Sequence, residues 1–181
     1  MEKYFIYPIY TGILGSIAAI MIPRQHMRRL AALAIVFGGA FDVAAILLLT
    51  KLLGVGGYLN FGPFGFIGIP FFPPIAWTIF FLMYFYILPD KKPWVYIFPF
   101  ISAIFSIIFS NVLLNLGIFE WNYGRLIVPF LIYISWHSPV TWAYLKITNN
   151  EFKTKDVYPN YWRTSNPALL KRFYHPDKRK K

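Results

Sequence analysis

The stretch GGAFDVAAILLLT, from Gly38 to Thr50, has the composition of an apolar helix but contains one carboxyl group, that of Asp42. The surrounding apolar run extends from Leu30 to Leu53, which exceeds the ~20 residues that a helix needs to cross a bilayer. A charged side chain at mid-bilayer costs ~2.5–3.5 kcal/mol on insertion scales. Asp42 is therefore expected to be protonated or to have a hydrogen-bonding partner.

The composition of the 181-residue chain is that of a membrane protein. Apolar residues make up 57% of it and charged residues 14%, against about 45–50% and about 25% in soluble domains. Four more apolar segments have nearly the length of a membrane span: Tyr4–Ile22, Ile69–Leu88, Val95–Ile118 and Leu126–Ile147. The sequence thus predicts an all-α polytopic membrane helix bundle, with five transmembrane helices in residues 1–147 and a basic cytoplasmic tail in residues 148–181.

The distribution of Lys and Arg predicts the orientation of the bundle. The loop after span one, 23–29, contains three Arg, and the loop after span three, 89–94, contains two Lys. The tail has nine Lys and Arg against three Asp and Glu, a net charge of +6. Because an excess of Lys and Arg marks the cytoplasmic side, we expect the N-terminus outside and the C-terminus inside the cell.

The loop after span two, Gly54–Pro74, contains six Gly and four Pro among aromatic residues. Gly and Pro disfavour a continuous helix, and irregular backbone at membrane depth is tolerated only where protein or water covers it. We expect a cap on the outer face in which residues Phe61–Phe72 pack onto the span ends. The alternative is a packed loop that binds no ligand.

The helix face that carries Asp42 consists mainly of small residues, among them Ala34 and Gly38. Small residues let helices approach closely in lipid, and Gly12-x-x-x-Ser16 on span one has a matching pattern. Asp42 is therefore expected to point into the bundle.

His137 is the leading candidate for the partner of Asp42, because it lies near the centre of span five. Pro139 cannot donate to the carbonyl of Ser135, which frees an acceptor next to this histidine. If Asp42 and His137 form an ion pair, Asp42→Asn should be milder for folding than Asp42→Leu, since breaking a buried pair costs ~3–5 kcal/mol.

Other polar side chains on spans four and five extend this candidate site. The residues predicted to bind a ligand or a proton are Asp42, His137, Asn111, Asn115, Ser106 and Ser135. For the serines and asparagines the alternative is hydrogen bonding between helices, worth ~0.6 kcal/mol per contact on average.

No catalytic, metal-binding or cofactor motif accompanies these residues. The absence of Cys excludes disulfides, thiolate catalysis and Fe–S ligation. The three His are widely separated, and His26 and His137 are poorly placed to ligate one haem. Ser135 and Ser138 are too close in sequence to His137 to favour a serine hydrolase.

The basic tail is predicted to lie on the membrane surface, since each Lys or Arg near anionic lipid contributes ~1 kcal/mol. The residues assigned to this surface are Lys171, Arg172, Lys178, Arg179, Lys180 and Lys181. Nucleic acid is not an expected partner, because no RNA- or DNA-binding module accompanies the basic residues.

Two stretches, GIPFFPPIAWTIFFLMYFYILPDKKPWVYI (Gly68–Ile97) and NLGIFEWN (Asn115–Asn122), resemble small multi-spanning membrane proteins of spore-forming bacteria. The shared elements are a Pro-rich entry, a Leu-Pro before a charged turn and a Gly-x-x-x-Trp, mainly in spans three to five. The resemblance implies a multi-pass protein of a bacterial cell membrane. No function is assigned to that family, so no catalytic residue carries over.

Two kinds of function are compatible with the sequence. The first is a small membrane subunit or scaffold that associates with itself or with a larger membrane complex. The second is a binding or transport protein for protons or for a hydrophobic ligand such as a quinone, using Asp42 and His137. A cavity at Asp42 would favour the second, and a dry packed bundle the first.

Overall fold

The computed structural model describes residues 2–151 and is mainly helical. Its helices are α1 (Ile6–Met21), α2 (Arg24–Leu52), α3 (Phe72–Ile87), α4 (Trp94–Asn115) and α5 (Ile127–Glu151). Its strands, which the sequence did not predict, are β1 (Gly56–Tyr58), β2 (Gly65–Phe66), β3 (Ile69–Pro70) and β4 (Phe119–Trp121). The residues predicted to lie on the membrane surface, from Lys171 to Lys181, are outside the described residues.

The chain divides into two compact units. The first extends from Met1 to Tyr144, and the second begins at Leu145. Of the second unit, the structure describes the continuation of α5 to Glu151.

Within residues 2–151, three helical segments are long and apolar enough to cross a membrane: Lys3–Met21, Arg24–Leu52 and Trp94–Asn115. The apolar helix α3 has only 16 residues, which gives a length of about 24 Å against a hydrocarbon core of about 30 Å. Helix α5 is less apolar, because Ser135, His137, Ser138 and Thr141 interrupt its hydrophobic residues.

The outer faces of these segments are apolar. Ile13 and Ile20 of α1 are 57% and 86% exposed, and Ile101 and Ile108 of α4 are 51% and 59% exposed. Contiguous apolar surface of this kind marks a site of contact with a membrane or another protein. The fold is therefore compatible with a membrane protein.

Helix α2 contains π-helical turns on both sides of Asp42. The segments Ile35–Ala40 and Ile46–Leu52 are π-helical, and Phe41–Ala45 between them is α-helical. A π-helical turn contains more residues than the 3.6 of an α-helical turn, so the mixture of both averages about four residues per turn. Every fourth residue therefore lies on the same side of α2. The buried side consists of Leu30, Ala34, Gly38, Asp42 and Ile46. The small-residue face therefore points inward with Asp42 on it, as predicted.

Helix α3 packs against both α1 and α2. Gly38 and Gly39 allow the close approach, because a Cβ on either residue would collide with Trp77 or Thr78 of α3. The predicted match between the Asp42 face and Gly12-x-x-x-Ser16 of α1 is wrong. Both Gly12 and Ser16 are exposed, and it is α3 that covers the buried face of α2.

The short strands β1 and β4 join the loop after α2 to the loop after α4. They pair in antiparallel fashion, with Tyr58 opposite Phe119. The hydroxyl of Tyr7 on α1 lies 2.6 Å from the carbonyl oxygens of both Leu59 and Ile118. This contact ties α1 to the same strand pair.

The turn that leads from α4 into β4 is a Schellman motif, which ends many helices with a glycine of positive φ. Gly117 has φ +72°. The amide of Gly117 donates to Leu114 O at 2.9 Å, and the amide of Ile118 donates to Leu113 O at 3.1 Å. The side chains of Leu113 and Ile118 share one apolar cluster, as this motif commonly shows.

The glycine-rich loop 54–71 packs onto the N-terminal ends of α1 and α3, in part as predicted. Phe64 packs edge-on against Tyr4 and Phe72, with ring centroids 5.7 and 5.2 Å apart. At the tip of the β2–β3 hairpin, in contrast, Phe66 is 68% exposed. The cap therefore covers the helix ends with one side and presents apolar residues on the other.

Replacing Ile67 with asparagine is expected to raise the free energy of unfolding by about 1 kcal/mol, because strained residues cost about 1–3 kcal/mol each. Ile67 and Gly68 connect β2 to β3 with φ values of +51° and +72°. A two-residue turn with both φ positive favours Asn-Gly, whereas a β-branched residue with positive φ is an outlier. Thermal unfolding in detergent measures the change. Phe66→Asn is the control, since it removes an exposed apolar side chain without relieving this strain.

Candidate functional site

Asp42 is buried, at 3% exposure, and Oδ1 of its carboxyl group accepts a hydrogen bond from β1, in the loop after α2. The hydroxyl of Tyr58 donates to Asp42 Oδ1 at 3.3 Å. The indole of Trp77 on α3 donates in turn to the Tyr58 hydroxyl oxygen at 3.0 Å. Two consecutive hydrogen bonds, from Trp77 on α3 to Tyr58 on β1 and from Tyr58 to Asp42 on α2, therefore fix the position of Oδ1.

The pairing of β1 with β4 places Tyr58 at Asp42. The Tyr58 ring packs edge-on against Phe119, its partner across the two strands, with centroids 5.1 Å apart. At Gly57 a Cβ would collide with Thr50, so only glycine lets β1 lie this close to α2. Burial raises the pKa of Tyr58 well above its ordinary range, and the negative charge of Asp42 raises it further. The phenol therefore stays protonated and acts as a donor.

The second carboxylate oxygen of Asp42, Oδ2, is buried and has no hydrogen-bond partner within residues 2–148. Asp42 lines a cavity of about 50 Å³ between α2, α3, α5 and the strand pair. A cavity of this size has room for one or two molecules the size of water, each of which takes about 30 Å³. Its walls include Thr50, Tyr58, Trp77, Trp121 and Trp136.

The indole N–H groups in the walls of this cavity already have acceptors. Trp77 donates to the Tyr58 hydroxyl, and Trp136 donates to the carbonyl of Phe37 at 3.0 Å. Trp121 donates to Ser110 Oγ at 3.3 Å. The three tryptophans therefore supply the cavity with ring surface rather than with free donors.

A second cavity, of about 40 Å³, lies on the other side of Tyr58. It shares Tyr58, Trp77 and Tyr133 with the Asp42 cavity. Its other walls are almost entirely apolar, and they include Leu14 and Phe105. Tyr58 therefore stands between an apolar cavity and the cavity that contains the carboxylate.

His137 is fully buried among aromatic rings and lines neither cavity. Its Nδ1 lies 2.6 Å from the carbonyl oxygen of Tyr133. A carbonyl can only accept, so Nδ1 carries the proton and Nε2 is an acceptor. Neither His137 Nε2 nor Asp42 Oδ2 has a partner among the described residues, so the expected bond between Asp42 and His137 is not formed.

The four other predicted site residues lie in different places. Ser106 lines the apolar cavity, and its hydroxyl donates to Ser102 O at 2.9 Å. The Asn111 amide donates to Ile107 O at 2.9 Å and to Arg125 O at 3.0 Å, which anchors the loop before α5. Asn115 and Ser135 are exposed and line neither cavity.

Sequence reasoning missed Tyr58 and the tryptophans as part of the site. Tyr58 lies 16 residues after Asp42, and only the β1–β4 pairing brings its hydroxyl to the carboxylate. One local feature of the sequence could have indicated Tyr58. It directly follows Gly56 and Gly57, and two glycines permit the backbone to lie close to a neighbouring element.

No protein family, no curated protein sequence and no solved structure matches the chain.

Proposed function

We propose that the chain is a binding or transport protein that holds a proton or a small molecule at Asp42, inside a five-span bundle of a bacterial cell membrane. The observation that carries this proposal is the partnerless Oδ2 of a buried carboxyl group that lines a cavity. Ionisable groups within membrane segments are costly and mark ligand or proton sites by default. The relay from Trp77 through Tyr58 orients the carboxyl group and leaves its second oxygen free for a ligand.

Infrared spectroscopy on the protein in lipid bilayers tests this proposal. We expect the carbonyl stretch of protonated Asp42 to respond reversibly to pH and to shift in D₂O, because a binding site must exchange with its surroundings. Asp42→Asn should remove this signal, whereas Asp90→Asn and Glu120→Gln, which change exposed carboxyl groups, should leave it in place. A signal from Asp42 that stays constant at every pH where the protein is folded would refute the proposal.

The five-span orientation predicts the location of both chain ends. A reporter fused after Lys181 should be cytoplasmic, and one fused before Met1 should be outside, since the basic loops and the tail then share the cytoplasmic side. Phosphatase and fluorescent-protein fusions distinguish the two sides. An external C-terminus would overturn the orientation.

Association with a second copy or a larger membrane complex is our second proposal. Its support is the exposed stripe on α1 that contains Gly12 and Ser16, with open space above Gly12. Small residues at this spacing let membrane helices pack closely. Native mass spectrometry in detergent tests it, with Gly12→Leu expected to lower the oligomeric state. A parent protein that is monomeric at every concentration would exclude self-association.

A further inference from the structure

We infer that the Asp42 cavity binds a small ammonium ion, of the size of ammonium or methylammonium, with its N–H groups directed at Asp42 Oδ2. This inference rests on the proposed function, because it names the ligand class of the same site. Three independent properties of the cavity lead to it: its hydrogen-bonding groups, its size and the chemistry of its walls.

The hydrogen-bonding groups of the cavity favour a ligand that donates. In the ionised form of Asp42, Oδ2 is a buried acceptor without a partner. The Tyr58 hydroxyl is committed to Oδ1. The indole N–H groups are committed as well. The hydroxyls of Thr50 and Tyr133 also line the cavity, and a hydroxyl can donate as well as accept. A quinone carbonyl or an anion has only acceptors and would leave Oδ2 without a partner, whereas an ammonium ion has only donors.

The small volume of the cavity favours a small amine. About 50 Å³ is far below the 150 Å³ cavity that holds a benzene ring in a well-known engineered protein core. Ammonium is close to water in size, and methylammonium adds one carbon. Tetraethylammonium carries the same charge but does not fit.

The walls of the cavity favour a cation over a water molecule. A buried water needs two to four polar partners, and the wall includes the rings of Trp77, Trp121, Trp136 and Tyr133 next to aliphatic side chains such as Ile46 and Leu49. The face of an aromatic ring attracts a cation within about 6 Å of its centroid, and Trp does so most strongly. A bound cation also neutralises the carboxylate, which removes the cost of an unpaired charge within the membrane.

The same infrared signal tests the ligand class, with methylammonium chloride as the probe. At a fixed pH where part of Asp42 is protonated, methylammonium should convert it to the ionised form, because the bound cation stabilises the carboxylate. Sodium chloride at equal ionic strength and tetraethylammonium chloride should leave the signal unchanged. Asp42→Asn should show no response to any of the three salts.

Two variants of Trp136 distinguish the contribution of its aromatic ring to binding from that of its hydrogen bond to Phe37 O. Trp136→Leu and Trp136→Phe both lose the indole donor to Phe37 O, but only the phenylalanine variant keeps an aromatic face. Trp136→Leu should weaken the apparent affinity for methylammonium by about 2- to 30-fold more than Trp136→Phe does, which corresponds to a cation–π contribution of about 0.5–2 kcal/mol.

The possible failures point to different conclusions. If Asp42 responds to pH but not to methylammonium, or if a short-chain quinone changes its signal instead, the ammonium assignment is wrong and the proposed function stands. An equal response to sodium would also reject a specific ammonium site. If Asp42 does not respond to pH at all, the proposed function fails and the inference fails with it.

Discussion

Replacing Gly38 with alanine is expected to lower the free energy of unfolding by about 1–3 kcal/mol, the usual cost of overpacking a well-packed interior. The new Cβ would lie 2.7 Å from the carbonyl carbon of Trp77 and 2.8 Å from the Cα of Thr78. Backbone atoms cannot rotate away, so α2 and α3 would have to separate. Because Trp77 donates to Tyr58, the same separation should disturb the Asp42 site.

Two other glycines provide matched controls for Gly38→Ala. In Gly39→Ala the nearest atom is the Thr78 side-chain oxygen, 2.6 Å away, which can move at a smaller cost. In Gly15→Ala the nearest atom is the Ile79 side-chain carbon Cδ1, 3.7 Å away, which is an ordinary contact, so the higher helix propensity of alanine should stabilise α1 by up to about 1 kcal/mol. Unfolding in mixed micelles should show the largest loss of stability for Gly38→Ala, a smaller loss for Gly39→Ala and no loss for the variant in α1. Equal effects at all three positions would show that α2 and α3 do not pack closely at Gly38.

Replacing Asp42 with leucine is expected to abolish the response to methylammonium while keeping or raising stability. Removing a carboxyl group from mid-bilayer relieves about 2.5–3.5 kcal/mol, and loss of the acceptor of the Tyr58 hydroxyl costs about 1–3 kcal/mol. The net change should lie between about 0.5 kcal/mol against the variant and about 2.5 kcal/mol in its favour. This outcome is typical of a functional residue that is retained at a cost in stability.

The comparison with Asp42→Asn distinguishes a binding site from a structural link. From the sequence, leucine was expected to be the worse substitution, because a pair with His137 would be broken. That bond is not formed in the structure, so leucine should be no more harmful to folding than asparagine. Chemical unfolding of both variants, together with methylammonium-dependent shifts in melting temperature, measures the two effects. A leucine variant that unfolds far more easily than both asparagine and the parent would favour a scaffold.

The sequence by itself determined which segments form helices and which side of α2 is buried. Long apolar runs such as Leu30–Leu53 can satisfy their backbone only within a helix when they lie in lipid. The four-residue spacing of Ala34, Gly38 and Asp42 identified the inward face before any contact was known. These are local properties of neighbouring residues, and the structure agrees with both, except that residues 24–29, which were expected to form a loop, are the first turns of α2.

Only the tertiary structure decided what Asp42 contacts. The sequence favoured His137 because both residues are polar and lie near the centres of their spans, but depth does not specify which faces meet. The pairing of β1 with β4 instead brings Tyr58 to the carboxylate, and α3 rather than α1 covers the small-residue face. Both outcomes depend on contacts between segments far apart in the chain, such as Gly57 opposite Glu120. The periodicity of a single segment contains no information about such contacts.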